Sequence, residues 1–130
     1  MTLASVLKTI SDPMSMELFK SISEAGSNSS DLRTKTRLSR RQYYTRISNF
    51  TRNGMLTKKH RRIYRTTFGR VIYHTLMTVE NALSNYYKLK AIDSIHAIPQ
   101  EEHKKIIDTL ITDPDIREIL SSTKSWSSSF

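Results

Sequence analysis

A chain of 130 residues, 37% hydrophobic and 25% charged, suffices for one compact domain with an added element or two, not for two large domains. Without cysteine it has no disulfide, thiolate zinc site or cysteine nucleophile, and no apolar run nears the roughly 18 residues that span a bilayer. Its net charge of +9 is concentrated: residues 31–70 carry thirteen Lys and Arg against Asp31 alone, a net of +12, between slightly acidic flanks.

Residues 3–10 (LASVLKTI) are apolar-rich and predict a short leading helix. Ser11-Asp12-Pro13 is a helix start, with Asp12 as cap and Pro13 at the first helical position, where its missing N–H costs nothing. Met14, Leu18, Phe19 and Ile22 recur at helical spacing, and Gly26 is placed to end this second helix. Ser30 caps a short third helix, Asp31 to about Thr36, with Leu32 facing inward. Ser39 caps a fourth, closed by Asn53-Gly54; Leu38 and Tyr43 form its hydrophobic staple, and Tyr43, Ile47 and Phe50 its inward face. Residues 56–67 predict a two-stranded hairpin with its tip near His60–Arg62. A long helix follows from about Arg70 to Ile92. Its apolar positions Ile72, Leu76, Val79, Leu83 and Tyr86 step by four and three, close to a heptad seam. After a break at 93–98, Pro99 starts a helix with the stripe Ile106, Ile107, Leu110 and Ile111. Asp113-Pro114 starts a last short helix bearing Ile116, Ile119 and Leu120. Residues 121–130 form a serine-rich tail with Trp126 and Phe130 as docking side chains. The fold class is mainly α with one small β-hairpin.

A block as one-sided as residues 31–70 repels itself, and a polyanion offsets that repulsion: counterions released from nucleic acid favour each phosphate contact. Two helices joined by a tight turn present the second to the DNA major groove, about 12 Å wide. The Ser39–Asn53 helix suits that role, because its outward positions are nearly all hydrogen-bond donors. Its N-terminal part supplies the candidates for base reading: Arg40, Arg41, Gln42, Tyr44 and Thr45. Arg pairs bidentately with guanine and Gln with adenine. Arg46, Ser48 and Arg52, with Arg33, Lys35 and Arg37 from the preceding helix and turn, are candidates for backbone phosphates.

The motifs Ser11-Asp12-Pro13, Ser29-Ser30-Asp31-Leu32, Leu38-Ser39, Gly54-Met55-Leu56 and Tyr64-Arg65-Thr66-Thr67-Phe68-Gly69 occur in this order. Together they make residues 10–70 resemble the winged helix-turn-helix domain of ArsR/MarR-like bacterial and archaeal regulators. The last motif departs from the family's Y-x-x-T-x-x-G by one residue. The resemblance implies a wing that tracks the DNA backbone or enters the minor groove, here Lys58, Lys59, His60, Arg61, Arg62 and Arg65. It also implies two-fold dimers held by helices outside the core motif. The seam from Ile72 to Tyr86 fits that role, since a 23-residue helix is ~35 Å long, more than a small winged domain covers. The expected organisation is a DNA-binding domain (1–69), a helical dimerisation or accessory region (70–120) and a flexible tail (121–130). The C-terminal region, residues 93–130, matches no known pattern, and a protein partner or effector for it is left open.

Other chemistries find little support. His74, His96 and His103, with Asp93 and Glu102 nearby, lack metal-ligand spacing, so no metal and no other cofactor is expected. Tyr86-Tyr87 suits covering apolar surface better than lining a ligand pocket. With three glycines, no phosphate-binding loop, no nucleophile elbow and no HExxH, the chain is not expected to be an enzyme. No signal-peptide pattern opens it, so the expected setting is soluble, cytoplasmic and nucleoid-associated. The leading expectation is a sequence-specific transcription regulator that binds double-stranded DNA as a homodimer, without a membrane. Its rival is an architectural nucleoid protein with little sequence preference, which the varied side chains Gln42, Tyr44, Thr45 and Asn49 argue against. A winged helix docking onto protein is a third reading, which the +12 block disfavours; RNA binding lacks an aromatic sheet platform.

Overall fold

Side-chain caps fix most helix starts in the computed structural model, which describes residues 1–95 and 99–122. Thr2 and Ser5 form a capping box around the start of α1 (Leu3–Ile10). The Asp12 carboxylate accepts the N–H groups of Met14 and Ser15 at the start of α2 (Pro13–Ser21). Partial burial pushes the Asp12 carboxyl up, but hydrogen bonds from Ser15 and the Arg46 charge outweigh it and hold the group below the usual carboxylate range.

Two early boundaries differ from the sequence reading. Helix α2 stops at Ser21, where Ile22 turns extended and inserts into the core at 2% exposure. Gly26 therefore does not end the helix. It lies in the following turn at φ +87°, with the Tyr64 ring 2.6 Å from where a Cβ would sit. Helix α3 (Ser29–Thr36) is capped by Asn28 instead of Ser30: the Asn28 Oδ1 accepts the Asp31 N–H at 2.8 Å, and the Ser30 hydroxyl itself donates to Asn28.

A three-residue turn, Arg37 to Ser39, leads from α3 into α4 (Arg40–Arg52), with Arg37 left-handed at φ 57°. Strands β1 (Leu56–Lys59) and β2 (Arg62–Arg65) pair antiparallel, Leu56 opposite Arg65 and Lys59 opposite Arg62. Ser27 adds a bridge to Ile63 through N–H···O bonds of 2.9 and 2.7 Å, a third edge that the loop-like residues 23–28 gave no sign of.

The expected 70–92 helix is two helices, α5 (Thr67–Ser84) and α6 (Tyr86–Asp93). It starts three residues early because the Thr66 hydroxyl accepts the Gly69 N–H at 2.9 Å. It divides at Asn85, whose side-chain amide donates to the Asn81 carbonyl at 2.8 Å and so competes with the backbone ladder. Helices α7 (Gln100–Leu110) and α8 (Pro114–Ser122) complete a mostly helical chain with one small hairpin. Asp113 caps α8 as its sequence pattern predicts, accepting from Asp115 and Ile116. His96 and the tail residues Trp126 and Phe130 lie outside the described residues. Among the described residues, no helix is long and apolar enough to cross a membrane.

The chain divides into two compact units at His74/Thr75, within α5. The core of the first is Leu18, Phe19, Leu32, Tyr43, Phe50, Met55, Leu56 and Ile63, each at most 2% exposed. The Phe19 and Phe50 rings stack at 5.2 Å. The second unit is built on Ile92, Ile107, Ile111 and Ile116, with Leu89, Leu110 and Leu120 packed against them.

Gly69 joins the hairpin to α5 at contact distance: a Cβ there would lie 2.0 Å from the Met55 carbonyl oxygen. That oxygen already accepts the Thr66 N–H at 3.1 Å and cannot retreat freely. Gly69→Ala is therefore expected to cost about 3 kcal/mol, the upper part of the overpacking range, and to lower Tm by roughly 12 °C or more. A thermal melt followed by circular dichroism checks it; an unshifted melt would mean that the close approach is relaxed in solution.

Candidate nucleic-acid interface

Helix α4 is held from one side only. Ser39 accepts the Gln42 N–H and Gln42 accepts the Ser39 N–H, closing a capping box. Tyr43 and Phe50 are fully buried, and the Tyr43 hydroxyl donates to Ser29 Oγ at 2.9 Å, tying α4 to the start of α3. Burial pushes the Tyr43 phenol up, against the pull of the Ser29 hydrogen bond. The opposite face follows from helical geometry: Arg41, Thr45, Ser48 and Arg52, spaced i, i+4, i+7 and i+11, are all exposed. Arg40 and Tyr44 flank this stripe, also exposed. No acidic residue stands in α4.

Three candidates are engaged inside the protein. The Gln42 carboxamide oxygen is committed to the capping box, which uses part of the group needed for bidentate reading of adenine. Arg46 turns back to Asp12 at 3.4 Å and to the Met14 sulfur, so it braces α4 against α2 and is a poor candidate for phosphate. The clearest correction is Arg65. Its side chain is 5% exposed, donates to the Phe19 carbonyl at 2.8 Å and meets Glu24 at 3.2 Å. Its guanidinium lies 4.0 Å over the Tyr73 ring. A residue expected on the wing's DNA-facing surface is thus a core fastener between α2, β2 and α5, because strand alternation turns it inward. Glu24 also meets Arg70 at 3.7 Å.

Lys35, Arg37, Lys58, Lys59, His60 and Arg61 are exposed. Arg62 is exposed too, though it donates to the Gly26 carbonyl at 3.0 Å. Arg33 is half-buried, and its Nε is shut from solvent with no hydrogen-bond partner among the described residues.

The hairpin closes through two residues, His60 and Arg61, at φ 51° and 65°. Two-residue turns with both φ positive favour Asn-Gly, and a left-handed L-residue costs roughly 1–2 kcal/mol. The sequence accepts this strain to hold an imidazole and a guanidinium at the tip. Replacing the pair by Asn-Gly is expected to stabilise the protein by about 1 kcal/mol and to weaken duplex binding roughly tenfold. Melting and DNA titration of the same variant check both signs; unchanged affinity would remove the tip from the interface.

Along α5 and α6, the seam residues Val79, Leu83 and Tyr86 are 52%, 68% and 54% exposed, while Ile72 and Leu76 are half-buried. Sequence reasoning assigned no outward role to α1, yet Leu3 and Leu7 are exposed there. The signal was present: apolar residues at 3, 6, 7 and 10 wrap more than one face of a helix whose inner side needs only Val6 and Ile10. Among the described residues, no three His, Asp or Glu side chains converge as a metal site.

Comparison with protein-family models, with curated proteins and with solved structures finds no match to this chain.

Proposed function

We propose that the chain is a winged helix-turn-helix protein that regulates transcription by binding specific double-stranded DNA as a homodimer. In this reading α3 and α4 are the helix-turn-helix, α4 enters the major groove, and the β1–β2 hairpin is the wing. Arg41 and Thr45, with Arg40 and Tyr44 beside them, take the base edges; Ser48, Arg52, Lys35 and Arg37 take phosphates. Lys58, Lys59, His60, Arg61 and Arg62 hold the backbone or minor groove beside the helix. The exposed apolar seam Val79–Leu83–Tyr86 carries the two-fold contact, and the protein works at the nucleoid without cofactor or catalysis.

One observation carries the reading: the outward stripe of α4 mixes two arginines with two hydroxyls, directly opposite a fully buried Tyr43 and Phe50. A helix fixed from behind and free of acidic groups in front suits a groove lined by phosphates, and its hydroxyls suit base edges. Selection of bound sequences from random duplexes tests it. A two-fold motif with half-sites about one helical turn apart is expected. Binding without any preferred sequence would favour the architectural reading, to which the occupied Gln42 lends some weight. Sizing in solution tests the seam: a monomer at micromolar concentration contradicts the homodimer.

A further inference from the structure

The second unit has an apolar groove of about 460 Å³ between α6 and α8. Tyr86 and Leu89 on α6 and Ile119 and Leu120 on α8 form its walls, with the buried Ile92 at its floor and Lys90 and Asp93 on its rim. Tyr86 and Ile119 stay more than half exposed, so the groove opens onto apolar surface. A groove of this size is large enough for a small aromatic group.

We propose that the occupant is the chain's own C-terminus, residues 123–130, with Trp126 as the inserted side chain. This does not depend on the DNA-binding reading. Helix α8 ends at Ser122, within one turn of the groove wall at Ile119 and Leu120, roughly 5 Å along the axis. Four residues separate Ser122 from Trp126, a reach of at most ~14 Å. Trp126 is the single tryptophan of the chain, and in the segment TKSWSSSF it and Phe130 are the only large apolar side chains. An indole buries about 150–250 Å² when covered, which matches an apolar slot better than any serine beside it. So short a tether holds an effective concentration in the roughly millimolar range, above that of a second copy at micromolar concentration.

The single tryptophan makes the test direct. In the full-length protein, Trp126 emission should be blue-shifted from that of the denatured chain, and acrylamide should quench it several-fold less. Ile119→Asp puts a carboxylate on the groove wall outside the buried isoleucine cluster. It should move the emission to the denatured position with helicity retained. Should Ile119→Asp lose helicity, Trp126→Ser gives a second reading: an uncovered groove should bind a hydrophobic dye several-fold more strongly than the parent does. Native emission equal to that of the denatured chain overturns the proposal, as does a blue shift that survives Ile119→Asp. Emission that shifts on dilution overturns it in favour of the tail of a second copy, and unchanged dye binding by Trp126→Ser overturns it as well.

Discussion

Arg65→Ala is expected to lower stability by about 3 kcal/mol and Tm by at least roughly 12 °C, while leaving the salt dependence of DNA binding unchanged. Removing this side chain leaves the Phe19 carbonyl without its 2.8 Å donor and opens a gap beneath the Tyr73 ring. A lost bond to a buried carbonyl costs about 1–3 kcal/mol, and a desolvated cation over an aromatic face adds up to about 2. The neighbouring ion pair adds little, since Glu24 is 61% exposed. Arg61→Ala should do the opposite, leaving the melt intact and reducing the salt slope by about one unit per protomer. Thermal melts and DNA titrations of both variants separate the roles; identical behaviour would contradict the assignment of Arg65 to the core.

Replacing Arg41, Arg52 and Arg61 together by alanine is expected to weaken duplex binding by about two to three orders of magnitude at 0.1 M salt. Each phosphate contact contributes about 0.9 to the slope of log K against log salt, so three lost contacts flatten it by about 3 per protomer. All three side chains are exposed, and none has a hydrogen bond or ion pair within the described residues, so stability should stay within about 0.5 kcal/mol. Titrations of fluorescently labelled duplex at several salt concentrations measure both quantities. An unchanged slope would mean that phosphates are held elsewhere, and a large loss of stability would mean that these arginines pack instead of bind.

Much of the fold was legible because its signals are local. Thr2 aside, the caps at Asp12, Ser39 and Asp113 sit where short polar side chains precede apolar periodicity, and the 3.6-residue pattern located each of the eight helices among the described residues. What escaped depended on contacts distant in sequence or on competition between near neighbours. Ile22 ends α2 by entering a core whose other members come from up to 41 positions further along, at Ile63. Asn85 divides the long helix through a side-chain bond that spacing alone does not reveal. In the candidate interface, the one-sided charge of residues 31–70 marked the right region but treated all its cations alike. Arg46 and Arg65 face inward because Asp12, Glu24, Phe19 and Tyr73 meet them in space, and no spacing rule links those positions. Arg41, Thr45, Ser48 and Arg52 were each identified singly; their shared face became visible only once Tyr43 and Phe50 were seen fully buried.

The central claim is that the outward side of α4 and the tip of the hairpin grip the phosphates of a double helix. Equilibrium binding of the unmodified protein to a random-sequence duplex, from 50 to 300 mM salt, tests it most directly. A log–log slope on the order of −5 or steeper is expected from the cations those two elements expose. A slope near zero, or no association at the lowest salt, contradicts it.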